Sequence, residues 1–155
     1  MKNTRKYRWF YWAFMLGMMI IIFVLSHQPG TVSTKISDHV ASTLQVESQE
    51  KYFYKAVSAQ PLFAGLSLRK YAHLVLYGGL GLSTFLVTKD GRLSGKKKIW
   101  LAMAICFVYS CTDELHQYFI PGRGAKFIDI IIDAIGYSVV IGLGWLVLWI
   151  KRRKQ

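Results

Sequence analysis

Residues 9–25 carry no charged side chain, and three further stretches of the chain repeat that pattern. Residues 71–88 hold one group that titrates near neutrality, His73, while residues 99–112 and 134–150 hold no charge at all. A bilayer core of about 30 Å is crossed by about 20 helical residues once the flanks are counted. Four such segments in one chain predict an all-α, polytopic membrane protein, a four-transmembrane-helix bundle. The spans are expected at about residues 9–26, 70–88, 98–118 and 128–150. Residues 27–69 then form an extracytoplasmic segment between helices 1 and 2. At 155 residues the chain is expected to be a single domain, 1–155.

The charges set the orientation. Lys2, Arg5, Lys6 and Arg8 precede the first span. Lys89, Arg92, Lys96, Lys97 and Lys98 lie between the second and third, and Lys151, Arg152, Arg153 and Lys154 follow the fourth. These short flanks hold 13 of the 20 basic residues, with Asp90 as their only acid. The positive-inside rule puts all three flanks, and so both termini, in the cytoplasm of a multi-pass cell-membrane protein. The net charge of +12 is then topology and attraction to anionic lipid. A nucleic-acid binder of similar charge would not contain these apolar runs, so no nucleic-acid partner is expected. No small-x-small cleavage pattern follows Leu25, where His27 and Gln28 come next, and the first span is read as uncleaved.

Within the long outer segment Val32, Ile36, Val40 and Leu44 recur every four residues, which suggests an amphipathic surface helix. Tyr52, Phe53, Tyr54, Leu62 and Phe63 suggest a second surface-seeking patch, and Ser67 an N-cap for the second span. Pro121-Gly122-Arg123-Gly124 reads as a tight turn. Gly78, Gly79, Gly81, Gly136, Gly142 and Gly144 are placed where helices could approach closely. Cys106 and Cys111 lie five residues apart on one helix and read as packing residues.

Depth locates the chemistry. Counting about 1.5 Å per residue from the cytoplasmic charge that ends each helix, His73, Asp113, His116 and Asp133 stand roughly 22–27 Å up. Gln28, Arg69 and Asp129 come out at roughly 30–33 Å. All four helices therefore deliver polar groups to one outer layer. Arg69, His73 and Tyr77 share one face of the second helix; Asp113, His116 and Gln117 are read as one face of the third; Asp129, Asp133 and Gly136 as one face of the fourth. Ionisable groups at this depth turn inward and pair. Interfacial salt bridges that fix helix register are the plain alternative, above all for Lys70, Glu114 and Lys126, which are placed where they can reach water. Histidine and carboxylate are metal-ligand types, but the spacing of His73, Asp113, His116 and Asp129 matches no standard motif. No metal, cofactor or catalytic residue is assigned. Membrane lipids are the expected partners, an anionic headgroup being the preferred ligand class.

Ser26-x-Gln28, Lys70-x-x-His73-x-x-x-Tyr77, Asp113-Glu114-x-His116-Gln117-x-Phe119-x-Pro121-Gly122-Arg123 and Asp129-x-x-x-Asp133-x-x-Gly136 together resemble the VanZ-like membrane protein family. The resemblance covers roughly residues 14–150. One departure is Asp133, where many members carry Asn. The family takes its name from low-level resistance to teicoplanin, a lipidated glycopeptide. The resemblance therefore implies a cell-envelope protein that binds a lipid headgroup, lipid-linked precursor or lipoglycopeptide at the outer leaflet. The alternative is a membrane enzyme acting on a lipid or lipid-linked phosphate. In that reading Asp113 or Glu114 is the base, His73 or His116 the acid or base, and Arg69 with Arg123 the anion clamp. A proton path is disfavoured because the inner part of the helices lacks polar stepping stones.

Overall fold

The structure, a computed structural model, describes residues 7–32, 35, 36, 39, 68–89 and 93–154. They form four long helices: α1 (Arg8–Ser26), α2 (Leu68–Lys89), α3 (Gly95–Tyr118) and α4 (Phe127–Arg153). Each coincides with one of the four apolar runs. α1 ends where Pro29 approaches and cannot continue a helix. α3 ends at the Pro121-Gly122 turn, where Gly122 takes a φ of +73°, open to glycine without strain. Short helical pieces after Pro29 expose Val32, Lys35, Ile36 and His39. Val40, Leu44, the aromatic patch and Ser67 lie outside the described residues.

Three of the helices, taken over Arg8–Ser26, Lys70–Lys89 and Phe127–Arg153, are long and apolar enough to cross a membrane. α3 falls short because Lys96, Lys97 and Lys98 open it while Asp113, Glu114 and His116 lie near its end.

α2 packs against each of the other three, most extensively against α4. Glycine makes the α2–α4 contact close. A Cβ on Gly136 would stand 2.5 Å from the Leu74 carbonyl oxygen, and one on Gly81 would stand 2.8 Å from the Tyr137 backbone. Gly144 lies against the Phe85 ring, and Gly79 meets only the Met18 side chain. Gly142 was expected at a contact, yet nothing lies within 4 Å of its Cβ position. It is exposed on the outer side of α4, so its smallness serves no contact there.

The surface is apolar and the interior partly polar, the reverse of a soluble domain. Trp100, Phe107, Val108 and Leu115 on α3, and Ile135, Val139, Leu143 and Trp149 on α4, are exposed. Ser83, Thr84, Thr88 and Ser110 are buried. Ser83, Thr84 and Thr88 donate to carbonyls three or four residues back on α2, so they satisfy themselves within their own helix. The two ends differ. At one, Lys98 donates to the Lys89 carbonyl and Lys89 lies over the Tyr11 ring. The other end carries the histidines and carboxylates.

Candidate functional site

At that second end every helix contributes buried or half-buried polar side chains. α1 supplies Ser26 from its last position, α2 His73, α3 Ser110, Asp113, Glu114 and Gln117, and α4 Asp133. Ser26, Asp113, Glu114, Gln117 and Asp133 are each at most 4 % exposed.

The contacts fall into two neighbouring groups. In the first, Asp113 Oδ2 accepts from Ser26 Oγ at 3.0 Å and from Gln117 Nε2 at 3.0 Å. Arg123 then holds Gln117 from the α3–α4 turn, its Nη1 donating to Oε1 at 3.2 Å while Nη2 donates to the Leu25 carbonyl at 3.1 Å. That turn is pinned to the end of α1 a second time, because Gly30 N donates to the Pro121 carbonyl at 3.1 Å. Any side chain at Gly30 would collide with the Gly122 carbonyl.

In the second group Asp133 lies between α2 and α3. His73 Nδ1 stands 3.2 Å from its Oδ1, and Ser110 Oγ donates to Oδ2 at 2.7 Å. The His73 ring stacks on Tyr77 with centroids 6.1 Å apart. Glu114 Oε2 accepts from the backbone N–H of Lys126, the residue that precedes α4, at 2.8 Å. Glu114 Oε1, Asp113 Oδ1 and the Tyr77 hydroxyl are buried with no hydrogen-bond partner among the described residues. Ligand atoms of His73, Glu114 and Asp133 all lie within 4.8 Å of one another.

Helical phase explains which α3 residues turn inward. At about 100° per residue, Gln117, Ser110 and Glu114 lie about 40°, 60° and 100° round from Asp113 in one sense, and His116 about 60° in the other. The inward face is therefore Ser110, Asp113, Glu114 and Gln117. His116, expected beside Asp113 and Gln117, faces the end of α1 instead. It stacks on Phe23 at 4.7 Å and on His27 at 5.3 Å, and its Nε2 stands 3.2 Å from His27 Nδ1. Glu114, expected where it could reach water, is 2 % exposed, whereas Lys126 is exposed. The same rotation that turns His116 outward turns Glu114 in.

Tyr77 is fully buried on the expected α2 face. Gln28 sits half-buried in the turn beyond α1, and Asp129 stands in the first turn of α4 with Oδ1 buried and without a partner among the described residues. Arg69 lies in the first turn of α2, its side chain outside the described part. Ser110 was not singled out from the sequence. Its spacing of three, four and seven residues from Asp113, Glu114 and Gln117 is the pattern that could have found it. Beside the site, the α1–α3 seam opens into an apolar groove of about 370 Å³ lined by Met19, Ala104, Ile105, Val108, Tyr109 and Thr112.

The profile of the VanZ/LLP1 family matches residues 10–150, nearly the whole chain. The chain belongs to the VanZ/LLP1 family. The match takes in all four helices and every residue of both polar groups. No curated protein and no solved structure matches the chain. The matched stretch includes the Asp-Glu-x-His-Gln and Pro-Gly-Arg runs. The geometry shows what those runs do in this VanZ/LLP1 chain: Asp113 and Gln117 knit α3 to α1, and Arg123 locks the turn onto both.

Proposed function

We propose that the chain is a multi-pass protein of the cell membrane, with four spanning helices and both termini in the cytoplasm. Its buried polar cluster takes the headgroup of a lipid, a lipid-linked cell-wall precursor or a lipoglycopeptide at the outer leaflet, and so alters susceptibility to glycopeptides such as teicoplanin. Counting α3 as a span is supported by the direction of its polar face. Asp113, Glu114 and Gln117 point into the bundle, and what α3 presents outward is Trp100, Leu101, Phe107, Val108 and Leu115. The observation that carries the headgroup reading is the concentration of buried and half-buried ionisable groups from three helices at one end of an otherwise apolar-surfaced bundle. Such groups are costly within a bilayer and mark sites of function by default. The apolar groove beside Tyr109 is suited to an acyl chain of the same ligand.

A second reading, a membrane enzyme acting on a lipid or lipid-linked phosphate, is favoured by one arrangement. A histidine is oriented by an aspartate that is itself held by Ser110, with Glu114 alongside, and this is how a general base is positioned. His73, not His116, carries that role. The experiment is incubation of the purified protein with a bacterial lipid extract, followed by mass spectrometry. Binding predicts co-purifying lipid that is returned chemically unchanged. Time-dependent loss of one lipid species, abolished by His73→Gln or Glu114→Gln, would replace the binding reading with the catalytic one.

A further inference from the structure

We infer that His73, Glu114 and Asp133 form a binding site for one divalent cation. The three side chains come from three different helices, which is why no spacing motif announces them. Each offers a ligand atom, and these atoms lie within 4.8 Å of one another. Two ligand atoms about 2.1 Å from a common ion, at tetrahedral or octahedral angles, stand about 3.0–3.4 Å apart. His73 Nδ1 and Asp133 Oδ1 are 3.2 Å apart, a separation that suits two adjacent ligands as well as a hydrogen bond.

Two independent observations point to a ligand between them. Glu114 is 2 % exposed, and its Oε1 has no hydrogen-bond partner among the described residues although Oε2 is held by Lys126 N–H. Among the described residues, no lysine or arginine forms an ion pair with Glu114 or Asp133; the single ion-pair contact is His73 with Asp133. Two carboxylates and one imidazole thus share a buried volume with little opposing charge. Buried carboxylates of this kind are neutralised either by taking up protons or by a counter-ion, and the three ligand atoms lie near enough for small side-chain shifts to seat one ion between them. The donor set contains no thiolate, since Cys106 packs on Thr84 a little over two turns from Glu114. Mixed carboxylate–imidazole ligation suits manganese or zinc.

Ser110 then acts as a positioning residue, holding the second Asp133 oxygen at 2.7 Å and so the orientation of the carboxylate. A cation here would also offer positive charge to the phosphate of a headgroup, but its binding does not rest on that reading and is measured without lipid substrate.

The test is titration of chelator-stripped protein in detergent with Mn²⁺ alone, following free Mn²⁺ by electron paramagnetic resonance. One ion per chain is expected. Glu114→Gln and His73→Gln should each weaken binding at least tenfold. His116→Gln should retain it, because the His27–His116 pair is the other place where imidazole nitrogens converge. Melting of the unaltered protein should rise with Mn²⁺ and not with an equal ionic strength of K⁺, a readout that needs no variant to fold. No saturable binding at millimolar Mn²⁺, unchanged binding in Glu114→Gln, or loss of binding in His116→Gln would each overturn the site. Headgroup binding that persists in a protein unable to bind Mn²⁺ would remove the metal and leave the proposed function standing.

Discussion

Replacing Gly136 with alanine should loosen both the helix packing and the site that depends on it. The new Cβ would start 2.5 Å from the Leu74 carbonyl oxygen, where a carbon–oxygen contact needs about 3.3 Å. The obstacle is backbone, so α2 has to retreat by about 0.8 Å to restore that contact distance. Leu74 follows His73 directly, and a retreat of that size would stretch the 3.2 Å His73–Asp133 contact to roughly 4 Å, beyond hydrogen bonding. Overpacking of this kind costs about 1–3 kcal/mol. Gly142→Ala is the matched control, with nothing within 4 Å of its Cβ, and gains at most about 1 kcal/mol of helix propensity. Thermal unfolding of the two variants in the same detergent should therefore differ by roughly 3–10 °C, Gly136→Ala being the lower. Headgroup binding should weaken in the same variant. Equal melting temperatures would refute the claim that the α2–α4 contact is set by backbone approach at Gly136.

Orientation is tested with single cysteines on a background lacking Cys106 and Cys111. Gly124→Cys should react with an impermeant thiol reagent in intact cells, and Gly95→Cys only after permeabilisation; both glycines have open space at Cβ. Asp113→Asn keeps the size of the side chain and an acceptor for Ser26. It should be produced at normal yield and melt normally, yet lose headgroup binding and any glycopeptide phenotype. A register-setting role would instead lower stability by roughly 1.5–3 kcal/mol, the worth of hydrogen bonds to a charged acceptor, with yield falling first. Arg123→Ala should weaken binding of lipid or lipoglycopeptide, whereas His116→Gln, which alters only the outer stack with Phe23 and His27, should leave it largely intact.

What the sequence carried was depth and periodicity. Four apolar runs gave four helices, and counting residues from the basic flanks placed His73, Asp113 and Asp133 in one layer, where the structure brings them to one end of the bundle. What it could not carry was rotation about each helix axis. A face inferred from i, i+3 and i+4 spacing spans about 100°; around Asp113 it has His116 at one margin and leaves Glu114 about 60° beyond the other. Only the partners decide between them. Ser26 at the end of α1 draws Asp113 and Gln117 to one side, Asp133 of α4 draws Ser110, and Glu114 is carried in toward Lys126. Glycine was legible as a contact former at Gly78, Gly81, Gly136 and Gly144, but Gly142 has the same sequence signature with no neighbour, because which side of α4 meets α2 is a tertiary fact.

The placement of the carboxylates bears on whether the layer is built for function. Asp129 lies in the first turn of α4, where the helix dipole favours negative charge, and Asp133 follows one turn further in. Asp113 and Glu114 lie one turn in from the C-terminal end of α3, where the dipole gives negative charge no support and at most weak opposition. A bundle that needed only register could keep its acids at helix N-termini and its bases at C-termini, as α4 does with Lys151, Arg152 and Arg153 in its last turn. Instead α3 carries two adjacent acids toward its C-terminal end, and each is supported from outside the helix. Ser26 reaches Asp113 from α1, Arg123 steadies the Gln117 that donates to it, and the N–H of Lys126 meets Glu114 just ahead of α4. Two neighbouring segments, the end of α1 and the α3–α4 connection, direct donors to these carboxylates or to the Gln117 beside them, and each carboxylate still keeps one buried oxygen without a hydrogen-bond partner among the described residues. Donors are directed where the dipole gives no support, while oxygens are left available. Oxygens that receive a ligand would leave that pattern, and loss of binding at unchanged melting temperature in Asp113→Asn is the result that separates it from helix alignment.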